Sequence, residues 1–147
     1  MSRLKPIHIP ASLFRLLIWS FVLHGVWEFF QCLFFYDMTG FGLWKGALWM
    51  IGATVTDVVL TLLLFGGALW LQSRKPDFSF VLTLIIVGFL VAIGIEVMAS
   101  VGGWWRYSAL MPQLKFVGIT LGLLPLLQMA LLPYLGAKFA KITTSAR

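Results

Sequence analysis

Four long apolar runs constrain the fold of this chain more than any other feature. They cover residues 13–36, 46–72, 78–101 and 116–136, and each has the roughly 20 residues that a helix needs to cross about 30 Å of hydrocarbon. Lipid offers no hydrogen-bond partners to the backbone, so a run of this kind is expected to be helical. The runs predict an all-α fold, in which a single integral membrane domain forms a four-helix transmembrane bundle.

The composition also indicates a membrane protein. Of the 147 residues, 61% are hydrophobic and 11% are charged, whereas soluble domains average roughly 45–50% and 25%. The net charge is +6, but the cations lie singly or in pairs at the ends of the apolar runs, where they set topology. We therefore predict no nucleic-acid partner. The single cysteine, Cys32, excludes an internal disulfide and any CxxC motif.

The distribution of lysine and arginine predicts the orientation. Cytoplasmic loops carry an excess of these residues, and only Lys45, Arg106 and Lys115 fall on the less basic side of the predicted bundle. Both termini are therefore expected to be cytoplasmic, in a multi-pass protein of the bacterial inner membrane. The cations on the cytoplasmic side would be Arg3, Lys5, Arg15, Arg74, Lys75, Lys138, Lys141 and Arg147.

The first run carries polar and ionisable side chains in its middle. At about 100° per residue, Ser20, His24, Glu28 and Gln31 share one helix face, and the rest of the run is mainly aromatic or aliphatic. A carboxylate at membrane depth costs roughly 2.5–3.5 kcal/mol on insertion scales, so it normally faces the bundle interior and finds a partner. This face therefore predicts a buried polar site.

Two further acids lie inside later runs. Asp57 is deep in the second run, and Glu96 lies in the third on a stripe of small residues that suits close helix packing. Counting residues places Glu96 in the outer half of the bilayer, near the depth of Glu28, and Asp57 somewhat deeper. We therefore expect the three acids and His24 to meet in one cavity that opens to the outer side. The predicted acid–base residues are Glu28, Glu96, His24 and Asp57.

The loop at residues 102–115 is rich in aromatic side chains. Such a cluster is typical of the aromatic belt at a membrane surface as well as of a ligand site, and both interpretations stay open. Arg106 is the cation next to the acids, so it is expected to pair with Glu96 or Glu28. The predicted ligand-binding residues are Trp27, Trp104, Trp105, Arg106, Tyr107 and Gln128.

The fourth run contains glycines and prolines at informative positions. Gly118 and Gly122 have the spacing of a close helix-packing motif, and Pro125 is expected to kink the helix near Gln128. For Gln128 the interpretation as a hydrogen bond between helices is favoured.

The stretches WWRYSALMP and GITLGLLPLLQMALLP resemble a family of small, uncharacterised bacterial four-helix membrane proteins, which implies a fold and no established function. In arrangement the chain is also similar to the emopamil-binding-protein class, which includes sterol isomerases and sigma-2-receptor-like proteins. That class has a histidine and a glutamate one turn apart in an early span, as His24 and Glu28 are here, and acids in later spans. Asp57 stands where a glutamate is expected. This resemblance implies a lipophilic cavity.

The function that these features favour is binding of a small isoprenoid- or sterol-like molecule, with acid–base isomerisation of a double bond as its chemistry. Glu28 and Glu96 would be acid and base, His24 their partner, and Asp57 would tune them. Tryptophan faces would stabilise a cationic intermediate.

Other functions remain open from the sequence. The chain could be a non-catalytic subunit or assembly factor that binds a partner's helix, or a proton-coupled carrier, which with four spans would need to be a homodimer. No cofactor is predicted. A copper site is disfavoured because the candidate methionines do not share a helical spacing, and no metal is predicted; its ligands would be His24, Cys32, Met38, Met98 and Met111.

Overall fold

The computed structural model describes residues 11–75 and 77–142. These residues form four helices, with one β-hairpin between the third helix and the fourth. The helices are α1 (Ala11–Phe34), α2 (Leu43–Arg74), α3 (Phe80–Gly102) and α4 (Leu123–Phe139). The strands are β1 (Gln113–Phe116) and β2 (Ile119–Gly122). Arg3, Lys5 and Arg147, which the charge pattern assigns to the cytoplasmic side, lie outside the described residues.

Three of these helices are long and apolar enough to cross a membrane. They are α1 with 24 residues, α2 with 32 and α3 with 23. α4 is apolar but has 17 residues, which is about 25 Å of helix. The outer surface of the bundle is covered with large apolar side chains, such as Trp44 and Val101, which are 81% and 76% exposed. The prediction of a mostly helical chain with four helices is confirmed, and three of the four predicted spans are helices of membrane-spanning length.

The fourth segment differs from the prediction, because residues 113–122 form an antiparallel hairpin and not the start of a helix. Val117 and Gly118 make the turn with φ angles of 44° and 79°, which fits a two-residue hairpin turn that needs positive φ at both positions. β-Branched and aromatic residues around this turn favour strands. Gly118 therefore lies in the hairpin turn, and Gly122 is the residue before α4. Because neither glycine lies in a helix, the predicted helix-packing motif is wrong.

Pro125 also has another role than predicted. It is the third residue of α4, in the first turn, where backbone N–H groups have no partner inside the helix. A proline there removes no helical hydrogen bond, so it marks the start of α4. The proline inside α4 is Pro133.

The loops at one end of the bundle are bonded to each other. Tyr36, after α1, forms an isolated β-bridge with Tyr107, after α3. The N–H of Asp37 donates to the carbonyl of Arg106 at 2.9 Å, and the N–H of Ser108 donates to the carbonyl of Phe35 at 2.9 Å. Gly103 ends α3 in the left-handed conformation, with φ 61°, and turns the chain toward these contacts. The loop 103–112 is thereby held above the helices.

The apolar core lies toward the opposite end of the bundle. It is centred on Leu16, Leu84 and Ala140 at that end and extends to Ala92 and Met129 in the middle of the bundle. The buried polar side chains lie in the other half and in the middle of the helices. This division leaves the polar half of the interior for the candidate site.

Candidate functional site

The polar face of α1 is buried, as the periodicity predicts. Ser20 and His24 are fully buried, and Glu28 and Gln31 are 7% and 2% exposed. The neighbouring aromatic side chains of α1 point outward; Phe29 and Phe30, for example, are 50% and 52% exposed.

Gln128 of α4 connects this face to α2. Its amide nitrogen lies 2.9 Å from Glu28 Oε1, 2.6 Å from Asp57 Oδ2 and 3.2 Å from His24 Nδ1. Its amide oxygen accepts a hydrogen bond from Gln31 Nε2 at 2.5 Å, which orients the nitrogen toward the acids. We call His24, Glu28, Asp57 and Gln128 the Gln128 cluster. Gln128 does form the expected bonds between helices, and it forms several at once.

Hydrogen-bond counting shows how the Gln128 cluster is satisfied. An amide NH₂ has two hydrogens, yet three possible acceptors lie within its reach. His24 Nε2 lies 2.9 Å from Thr61 Oγ1, and His24 Nδ1 lies 3.6 Å from Asp57 Oδ2. The count closes without an added proton when the neutral His24 imidazole carries its hydrogen on Nδ1, because the two amide hydrogens then serve Glu28 and Asp57. The cluster is therefore a hydrogen-bonded junction of α1, α2 and α4.

Glu96 of α3 is held separately from that cluster. Its Oε2 accepts hydrogen bonds from the Tyr107 hydroxyl and from the Gly122 N–H, the latter at 2.7 Å. Trp105 Nε1 donates to the Tyr107 hydroxyl at 2.9 Å. Glu96 is 1% exposed, and its Oε1 has no partner among the described residues.

The same contacts affect the titration of Tyr107. Burial and, second, its hydrogen bond to Glu96 raise the pKa of the Tyr107 phenol well above the ordinary value. The phenol therefore keeps its proton at physiological pH and acts as a donor to Glu96.

A cavity of about 520 Å³ lies between Glu96 and the Gln128 cluster, and we call it the large cavity to distinguish it from a neighbouring cavity of about 260 Å³. Glu28, Asp57 and Glu96, from three helices, all line it, so the structure brings the three predicted acids to one cavity. No lysine or arginine is among the described residues that line it. The remaining walls are mainly apolar or aromatic: Tyr36, Leu48, Trp49, Gly52, Ala53, Thr56, Leu60, Ala92, Ile95, Trp104, Trp105, Pro125, Gln128 and Met129.

The cavity reaches the apolar surface of the bundle between α2 and α3. Leu48 is 70% exposed, and Gly52 and Thr56 are exposed as well although they line the cavity. A Cβ built on Gly52 would have nothing within 4 Å. The Thr56 hydroxyl donates to the Gly52 carbonyl at 2.9 Å. Because this hydrogen bond occupies the hydroxyl, the rim of the cavity is apolar here.

An aromatic wall separates this cavity from a second one at the loop end. The second cavity has about 260 Å³ and is lined by Asp37 and Arg106, among others. Both cavities share four lining side chains, which are Tyr36, Trp49, Trp104 and Trp105. We call these four residues the aromatic wall.

The sequence led us to expect that Arg106 pairs with Glu96 or Glu28, and the structure shows that it pairs with neither. It is exposed and faces the smaller cavity. Two hydrogen bonds from Thr39, and less strongly the charge of Arg106, lower the pKa of Asp37. The β-bridge between the loops directs Arg106 outward and turns its neighbour Tyr107 inward.

Three other predicted residues do not line the large cavity. His24 lies behind Glu28 and Gln128, and Tyr107 lies behind Glu96. Trp27 is half-buried, and its Nε1 is buried without a partner among the described residues. Trp104, Trp105 and Gln128 do line the cavity.

Sequence reasoning missed Tyr36 and Trp49 of the aromatic wall and the backbone N–H of Gly122. Trp49 lies two helical turns before Asp57, so the helical period could have placed it on the same wall. The backbone N–H of Gly122 carries no signal in the sequence, since its role depends on the hairpin. In residues 11–75 and 77–142, no three His, Cys, Asp or Glu side chains are arranged to hold a metal ion.

No protein-family model, curated protein or solved structure matches the chain.

Proposed function

We propose that this protein binds a small lipophilic molecule, isoprenoid- or sterol-like, in the large cavity and moves a double bond of that molecule by acid–base chemistry. One observation carries the proposal. Carboxyl groups from three helices line one mostly apolar cavity that opens to the apolar surface of the bundle. Buried acids at membrane depth are costly and mark functional sites.

The cavity suits a ligand of this class. Its volume of about 520 Å³ lies within the roughly 300–1,000 Å³ of small-molecule sites, which are mainly apolar with a few placed polar groups. The rim at Gly52 and Thr56 would admit a molecule dissolved in lipid. Indole faces of Trp49 and Trp104 would stabilise positive charge on an intermediate.

Glu28 and Asp57 are the proposed acid–base pair, because both bond to the same nitrogen of Gln128. In the proposed reaction this pair carries one proton, since general acid and general base are both needed and no lysine or arginine lines the described part of the cavity. The protonated carboxyl would give its proton to one alkene carbon, and the carboxylate would remove a proton from a carbon next to the resulting cation. The double bond moves, and the pair holds one proton before and after the reaction.

The proposed setting is the bacterial inner membrane, with both termini cytoplasmic and the aromatic wall on the outer side. Four cations support it, because they lie in the last turns of α2 and α4 or directly after them, opposite the loop 103–112: Arg74, Lys75, Lys138 and Lys141. The His24 and Glu28 spacing that resembles the emopamil-binding-protein class favours the same function.

The first test is mass spectrometry of the molecules that remain bound after gentle detergent extraction from the native host. We expect an isoprenoid- or sterol-like compound with the wild type that is lost in Glu28→Gln. The matched control is Asp37→Asn, which makes the same change of acid to amide outside the large cavity and should keep the compound.

A second measurement tests the chemistry. Each protein is incubated in D₂O with an excess of the extracted compound. The wild type should place deuterium at the carbon that is protonated, and Glu28→Gln should not. Partner polypeptides at fixed stoichiometry with no small molecule would contradict the proposal and favour a subunit or assembly factor.

A further inference from the structure

The two carboxyl oxygens of Glu96 have different surroundings. Oε2 accepts hydrogen bonds from the Tyr107 hydroxyl and the Gly122 N–H, whereas Oε1 is buried with no partner among the described residues. Native proteins rarely leave a buried polar atom unpaired, so such an atom calls for an explanation. The side chain itself is fixed, because two donors on different elements hold it.

Glu96 lines the large cavity. Side chains with an O–H or N–H donor line it as well, namely Tyr36, Trp49, Trp104 and Trp105, and none of them is hydrogen-bonded to Oε1. The amide nitrogen of Gln128 already faces Glu28, Asp57 and His24. The Thr56 hydroxyl is used by the Gly52 carbonyl. The missing donor would then come from the occupant of the cavity.

We infer that Glu96 Oε1 accepts a hydrogen bond from the hydroxyl group of the ligand, so that the ligand is a lipophilic alcohol. This inference rests on the proposed function and narrows its ligand class. A hydroxyl at Glu96 leaves the hydrocarbon part of the ligand against Leu60, Ala92 and Met129, which line the same cavity. Glu96 is thereby an anchor for the alcohol, while Glu28 and Asp57 carry the proton transfer.

The geometry provides a substitution with a defined outcome. In Glu96→Gln, the two donors at the Oε2 position select the amide oxygen there, because an NH₂ group would face the Tyr107 O–H and the Gly122 N–H. The amide NH₂ must then occupy the Oε1 position. The substitution replaces the acceptor in the cavity by a donor at nearly constant shape.

The test compares the binding of farnesol with that of farnesyl methyl ether to the purified full chain in nanodiscs, by calorimetric titration. We expect the wild type to bind the alcohol about tenfold more tightly, because a hydrogen bond to a carboxylate is worth about this factor. In Glu96→Gln the ratio should fall to about one or favour the ether. The control Asp37→Asn makes the same change of acid to amide outside the large cavity and should leave the ratio unchanged.

The remaining outcomes would contradict either the anchor at Glu96 alone or the proposed function as well. Equal affinities in the wild type, a preference for the ether, or a ratio that Glu96→Gln leaves unchanged would overturn the anchor at Glu96 and leave the lipophilic cavity standing. Failure of both probes to bind the wild type would overturn the proposed function and this inference together.

A measurement on the wild type keeps the inference testable if Glu96→Gln does not fold. Farnesol should shift a carboxylate stretching band in the infrared difference spectrum of binding, and the methyl ether should not. Identical difference spectra for the two probes would overturn the inference.

Discussion

Gly88 of α3 packs against the backbone carbonyl group of Met129 in α4. A Cβ built on Gly88 would lie 3.0 Å from that carbonyl carbon and closer still to its oxygen. Only a residue without a side chain allows this approach. The contact sets the position of α4 at the residue next to Gln128, so the packing of a glycine also positions the Gln128 cluster.

Gly88→Ala should therefore destabilise the protein, by about 1–3 kcal/mol or more, because overpacking forces the two helices apart. The matched control is Gly94→Ala in the same helix, where a Cβ would have nothing within 4 Å. That control should be neutral or stabilising by up to about 1 kcal/mol, through helix propensity. Thermal unfolding in detergent measures both, and equal midpoints for the two variants would contradict the prediction.

Gln128→Met should lower stability by at least about 2 kcal/mol, because it removes the donor shared by buried acceptors. Glu28 Oε1 and Asp57 Oδ2 would each lose this donor. Leu127→Met is the control, since Leu127 is 46% exposed on the same helix. Denaturant titration compares the two variants, and a loss no larger than that of the control would show that the cluster does not depend on the amide.

Tyr107→Phe should lower the free energy of unfolding more at neutral pH than at alkaline pH. Burial and the bond to Glu96 raise the pKa of Tyr107 above its ordinary value of 10.0, so the folded state prefers the protonated phenol. That stability is fully present below pH 10 and is lost as the pH rises through the raised pKa. Below pH 10, we expect the loss in the variant to be about 1–3 kcal/mol.

The unfolding midpoints of wild type and Tyr107→Phe should thus converge above pH 10. Tyr134→Phe, in α4, makes the same substitution away from Glu96 and is the control for loss of a phenol hydroxyl. Parallel curves for wild type and Tyr107→Phe from pH 7 to pH 11 would argue against the role of this phenol.

Gly52→Trp should close the cavity at the surface between α2 and α3 and abolish retention of a lipophilic ligand. Gly66→Trp adds the same side chain to the same helix, at another exposed glycine with open space around it that does not line the cavity. Mass spectrometry of bound molecules should detect the ligand with Gly66→Trp and not with Gly52→Trp. Retention by both folded variants would mean that the ligand does not pass Gly52.

The helices and their buried faces could be predicted from local chemistry. The apolar runs indicated α1, α2 and α3 to within a few residues, because a segment in lipid must satisfy its own backbone. The period of the α-helix placed His24 and Glu28 on the buried face, since that period is a property of the helix alone. The acids were correctly expected to line one cavity because their depths follow from counting residues.

Only the tertiary structure decided how these groups are partnered. Glu28 and Asp57 meet at Gln128, whereas Glu96 is held by Tyr107 and the N–H of Gly122. These partners lie far apart in sequence or depend on the hairpin turn, so no local pattern encodes them. Arg106 faces away from the acids because the bridge between Tyr36 and Tyr107 sets the direction of each loop side chain. Sequence determined which groups must be buried, and the packing of helices and loops decided which donor each of them meets, because hydrogen bonds act only over about 3 Å.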